Sequence, residues 1–213
     1  MHLSKFSKRS ELFFLLLIFI LGFLVRLYRF NGPIADWHSW RQADTSAVSR
    51  NFVTQGFDLL HPKFDDLSNV ASGIDNPNGY RFVEFPIYNL FQAGLFKTLG
   101  ILTLEEWGRL VSIFASLFAA YFLYAIVKKW SNINFGLLSC FFYLFIPFNI
   151  YYSRTILPDT SMVMAVLGGI YFFDKWVNSS KFSIFNVVSI YNNCFSFKAI
   201  RFVFCFANVF YRF

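Results

Sequence analysis

Side chains able to do chemistry crowd into one short stretch. Asp36-Trp37-His38-Ser39-Trp40-Arg41-Gln42-Ala43-Asp44 brings together two carboxylates, an arginine, an imidazole and two indoles. The polar segment it opens holds 7 of the chain's 12 acidic residues: Asp36, Asp44, Asp58, Asp65, Asp66, Asp75 and Glu84. A carboxylate within hydrogen-bond reach of a hydroxyl can take its proton. An arginine, or a metal ion held by carboxylates, can meet the charge of a departing phosphate. A second polar stretch, Ser153-Arg154-Thr155-Ile156-Leu157-Pro158-Asp159, adds a further arginine and a further carboxylate. Together the two stretches suit the handling of a polar substrate.

Each of these residues also has a plainer reading. Asp44 would cap a helix over residues 44–55, and Asp159 would cap one that begins at Thr160. Asp36 and Glu84 read equally well as ordinary loop carboxylates, and Arg154 as a cation snorkelling at a membrane edge. Trp37 and Trp40 could stack on a sugar, yet tryptophan is first of all an interface anchor. His38 and His61 lack a third ligand at useful spacing, so a zinc site is not expected.

The elements that must position these residues are apolar. The 213 residues are 56% hydrophobic and only 15% charged, against about 25% in soluble domains. This is the composition of a membrane protein. The net charge of +7 does not argue for nucleic acid, because the basic residues flank apolar runs, where headgroups and topology account for them. Cys140, Cys194 and Cys205 show neither a disulfide framework nor metal-ligand spacing. There is no glycine-rich phosphate loop and no internal repeat.

Apolar runs and flanking charge predict an all-α, multi-span helix bundle with spans at about residues 12–28, 110–127, 135–152 and 160–177. Lys5, Lys8 and Arg9 precede the first run, which places the N-terminus in the cytoplasm of a cell-membrane protein. An uncleaved anchor is preferred to a signal peptide, since no small-residue cleavage site follows and Arg26 and Arg29 do. Residues 31–109 then form an extracytoplasmic loop carrying short interfacial helices. Residues 85–99 fall short of the ~20 needed to span and are read as interfacial, which keeps Lys128 and Lys129 inside. Pro147 should kink the third span. In the loop, residues 44–55 read as a helix with Val48 and Phe52 on one face and Gly56 just past its end. Residues 153–159 become an outer hairpin on the same side as the acidic loop. Residues 182–213 contain no Leu, Gly, Pro, Asp or Glu, unlike the body in residues 1–181. They read either as an odd fifth helix or as the product of a changed reading frame.

Four motifs in order resemble a known family. His38-Ser39-Trp40-Arg41-Gln42-Ala43-Asp44-Thr45, with Ser49-Arg50-Asn51-Phe52 and Gly56, looks like the first outer loop of GT-C membrane glycosyltransferases. Phe82-Val83-Glu84-Phe85-Pro86, then Gly108-Arg109-Leu110, then Tyr152 through Asp159 agree in sequence. The likeness covers about residues 12–177 and is to bacterial relatives of protein O-mannosyltransferases and of the transferase that adds aminoarabinose to lipid A. It implies a polyprenyl-phosphate-linked sugar as donor, an unidentified acceptor on the outer face, membrane lipids as surroundings and an aspartate as base. Aligned on Ser49-Arg50, the family's acidic position falls on Arg41. Asp44 and Asp36 therefore both stand as candidate bases, with Asp44 preferred because it lies inside the more specific string. His38, Arg41, Glu84, Arg154 and Asp159 become candidate substrate-binding residues, and Asp159 a candidate ligand for a divalent metal ion. Relatives of this kind are much longer, so the expected transferase stands beside a second reading: a non-catalytic membrane protein or an inactive truncated remnant.

Overall fold

The computed structural model describes residues 8–35, 37–69 and 73–178. Asp36 and the atypical tail lie outside these residues. Among the described residues seven helices follow one another: α1 Lys8–Arg26, α2 Ser39–Gln55, α3 Ile87–Leu99, α4 Leu104–Trp130, α5 Ile133–Phe145, α6 Pro147–Tyr152 and α7 Asp159–Val177. Among the described residues there is no strand, only an isolated antiparallel bridge between Lys63 and Tyr80. The all-α expectation holds.

The long helix α4 organises the rest, with α1, α2, α3, α5 and α7 all packed on it. Its start is fixed by a capping box, in which the Thr103 hydroxyl accepts from the Glu106 N–H and the Glu106 carboxylate accepts from the Thr103 N–H. Lys128 and Lys129 in its last turn complement the helix dipole. Just before α4, Gly100 adopts φ +59° and returns its N–H to the Phe96 carbonyl, closing α3 as only glycine does without strain. One core cluster joins Ala120, Tyr124, Leu137, Cys140 and Leu144 with Leu15 and Ile18 of α1. A second joins Val48 and Phe52 of α2 to Ala93 of α3, so the face expected for α2 is the buried one.

Three expectations change in detail. First, α2 begins at Ser39, five residues before Asp44. The Asp44 side chain sits on Arg81 rather than on backbone N–H groups, so Asp44 is not a cap. Second, the run over residues 135–152 is broken rather than kinked. Ile146 takes an extended ψ of 126°, the conformation that the ring of Pro147 imposes on its neighbour. Third, of the four expected spans only α4 is long and apolar enough to cross a membrane by length and composition. At 1.5 Å per residue its 27 residues reach about 40 Å. α1 and α7, at 19 residues each, reach about 28 Å and carry charges near their ends. α3, with 13 residues, is short as expected and packs between α2 and α4.

Candidate active site

Arg41 sits in the first turns of α2, half-buried, and its guanidinium collects two carboxylates from distant parts of the chain. Nη1 donates to Asp159 Oδ2 at 3.1 Å, and Nη2 donates to Asp159 Oδ1 at 3.1 Å and to Glu84 Oε1 at 2.9 Å. The planar fork matches the two oxygens of Asp159, a geometry lysine cannot reproduce. Burial alone would lower the affinity of this group for its proton. The hydrogen bond to Glu84 and the charge of Asp159 outweigh it, so Arg41 is held above the ordinary arginine value and stays a cation. The clasp ties α2, the segment before α3 and the first turn of α7 to one point. Asp159 therefore serves Arg41 and does not cap α7.

One helical turn along, Asp44 Oδ2 accepts from Arg81 Nη1 at 2.9 Å. Arg81 is almost wholly covered, with its guanidinium over the Phe64 ring at 5.4 Å. Between these two pairs, the buried Gln42 amide accepts the Ile156 N–H at 3.1 Å and donates to the Trp37 carbonyl at 3.4 Å. The acidic loop and the hairpin are thus in direct contact.

Beneath the clasp, the Gly108-Arg109-Leu110 motif explains itself sterically. A Cβ on Gly108 would lie 2.6 Å from Gln92 Nε2 and 2.9 Å from Ile156 Cγ2. Glycine is what lets α3 and the hairpin both close on α4. The Tyr88 hydroxyl donates to the Gly108 carbonyl at 2.7 Å, and burial pushes its pKa up, so it stays a donor. Ser112 donates to the Thr155 carbonyl at 2.6 Å. Buried Arg109 reaches the carbonyls of Phe30 and Pro33, anchoring the chain that leads from α1 to α2. On the facing side, Asn89 donates to the Thr45 carbonyl and to Ser49 Oγ, and Ser49 donates to Gln92.

The pattern of the dolichyl-phosphate-mannose-protein mannosyltransferase family matches residues 84–211, more than half of the chain. The chain belongs to this family. No curated protein and no solved structure matches it. Members of this mannosyltransferase family are integral membrane glycosyltransferases of the GT-C type, so the resemblance read from the motifs is the right one. The matched residues begin at Glu84 and take in Asp159, two of the three members of the clasp.

Within this family member, the structure brings Arg41, Glu84 and Asp159 together. Asp44 stands one turn away on its own partner. His38 lies before Arg41 at the helix entry with φ +60°, its ring 6.2 Å from that of Tyr152. Arg154 belongs to a neighbouring group. Its Nη1 donates to the Tyr28 carbonyl at 2.7 Å, and its guanidinium lies 5.2 Å from the rings of both Tyr28 and Tyr151. His61 is engaged by Asp58 at 3.2 Å. Among the described residues no three His, Cys, Asp or Glu side chains gather to hold a metal ion. Asp159 and Glu84 both engage Arg41, which stands between them. Sequence reasoning missed Arg81, Gln42 and Gln92. Arg81 directly precedes the Phe82-Val83-Glu84-Phe85-Pro86 motif, a position that could have drawn attention to it.

Proposed function

We propose that this chain carries the outer-face site of a glycosyltransferase that moves a sugar from a polyprenyl-phosphate-linked donor to an acceptor hydroxyl. In this reading α1, the α5–α6 pair and α7 cross the membrane along with α4. The N-terminus is cytoplasmic, in the cell membrane, and the loop and hairpin lie outside. The clustering of Lys128, Lys129 and Lys175 at the opposite helix ends supports that orientation. The wide apolar exposure of Leu12, Phe13, Leu16, Ile20 and Leu24 along α1 supports its placement in lipid, not its orientation.

The observation that carries the reading is the Arg41 clasp, which draws the acidic loop and the hairpin into one polar site at one end of the bundle. The acceptor oxygen attacks the anomeric carbon, Asp44 or Asp36 takes its proton, and the carbon–oxygen bond to the phosphate breaks. A single displacement inverts the anomeric configuration. The leaving polyprenyl phosphate gains negative charge, which Arg154 meets at the membrane edge. Arg41, saturated by two carboxylates, holds the site together instead. A divalent ion is the alternative counter-charge, and Asp159 with Glu84 would hold it. Both now engage Arg41, so the donor set as it stands suits the guanidinium better than an ion.

Membranes containing the protein, supplied with a panel of polyprenyl-phosphate-linked sugars bearing a radiolabel, test the reading. Label should pass from one donor to acceptor material, and Asp44→Asn or Asp36→Asn should abolish this at unchanged protein amount. No transfer from any donor would favour the non-catalytic alternative.

A further inference from the structure

Two arginines lace the end of α1 to the hairpin in opposite directions. Arg26, in the last turn of α1, is fully buried. Its Nε donates to Ser153 Oγ at 2.6 Å, its Nη2 to the Leu144 carbonyl at 3.0 Å and its Nη1 to the Gly22 carbonyl at 2.7 Å. Arg154, next to Ser153, runs the other way to the Tyr28 carbonyl, two residues beyond Arg26.

The three partners of Arg26 are a hydroxyl and two carbonyls. Burying a cation among neutral groups is costly unless every donor is used well, and a leucine would suit an apolar helix end better. Two features make this arginine worth keeping. Pro147 ends the helix before it, and the carbonyls of the last turn of α5 lose their intrahelical partners. Arg26 serves the Leu144 carbonyl and places positive charge at the negative end of α5. At the same time its Nε grips Ser153, the residue whose backbone leads directly into Arg154.

We infer that Arg26 is a positioning residue for Arg154: by fixing Ser153 against the end of α1, it sets the guanidinium of Arg154 between Tyr28 and Tyr151, where the donor phosphate is met. This rests on the reading above, in which Arg154 binds that phosphate. Arg26 is buried and touches no substrate, so it acts only through its neighbour.

The test is a double-mutant cycle on the full chain in membranes, reading KM for donor, KM for acceptor, kcat and protein amount. Arg154→Met and Arg26→Met should each raise the donor KM roughly tenfold, the scale of one charge-assisted hydrogen bond, and leave the acceptor KM unchanged. The double variant should be no worse than Arg154→Met alone. Arg26→Lys, which keeps a cation without the fork, should recover part of the loss. If Arg26→Met does not accumulate, Ser153→Ala carries the test, raising the donor KM only while Arg154 is present. Multiplying effects in the double variant, or a loss confined to kcat and protein amount, would overturn the inference and leave the phosphate role of Arg154 standing. An unchanged donor KM in Arg154→Met would remove that role and the inference with it.

Discussion

Both ends of the helical body are joined by ion pairs between segments far apart in sequence, but the pairs are of different kinds. Where α1 begins and α4 ends, Lys128 meets Glu11 and Lys129 meets Asp174. Each is a point charge on one carboxylate, and each staples one helix to its neighbour. At the other end the cations are arginines. Arg41 engages two carboxylates through a planar fork, and Arg81 is covered by its surroundings as it holds Asp44. The lysine pairs keep helices adjacent. The arginine pairs fix the orientation of three segments about a shared point, which is what a reacting site requires and helix packing does not.

That difference can be broken in graded ways. The largest effect should come from the base. Asparagine at Asp44 or at Asp36 should lower kcat by about 10²–10⁴, while the other position changes it only a few-fold, as read from initial rates at equal protein amount. Next comes Arg41→Met, expected to cost about 100-fold in kcat/KM by letting the segments drift, since a misplacement of about 1 Å carries that cost. Arg41→Lys should recover only part of it, because the charge returns and the fork does not. Gly108→Ala should act on stability, lowering it by about 1–3 kcal/mol through overpacking against Gln92 and Ile156, measured by denaturant unfolding in detergent. EDTA should leave the rate within about twofold if, as proposed, Arg154 supplies the counter-charge that a metal otherwise would; a large drop would restore the metal at Asp159. Smallest of all, Glu11→Gln and Lys129→Met should shift stability by no more than about 1 kcal/mol, with transfer unaltered.

Much of the fold was legible because it is written in runs. The helices over the apolar runs of α4 and α7 and the buried face of α2 follow from apolar spacing, whereas α4 begins at Leu104, ahead of the run expected from residue 110, and Pro147 breaks the helix where a kink was expected. The start of α2 was not legible, because Asp44 is a good cap by type and only its tertiary partner Arg81 shows that the helix continues before it. The four-span count was read from apolar runs and flanking charge, whereas among the described helices only α4 is long and apolar enough to cross a membrane by length and composition. In the site, the order of motifs identified the family, and the pairing of Arg41 with Glu84 and Asp159 could not have been read. Its members are 118 and 43 residues apart, and a single sequence carries no signal for which arginine meets which carboxylate. Asp36, one of the two candidate bases, lies outside the described residues, so proximity favours neither base.

The comparison between the two ends reduces to one assay. Transfer from the active polyprenyl-phosphate sugar should be measured for Arg41→Met and Lys129→Met in membranes matched for protein amount. A loss of about 100-fold in the first and about twofold or less in the second is the predicted result. Equal rates in the two variants would contradict the claim that the arginine clasp, and not helix stapling in general, assembles the site.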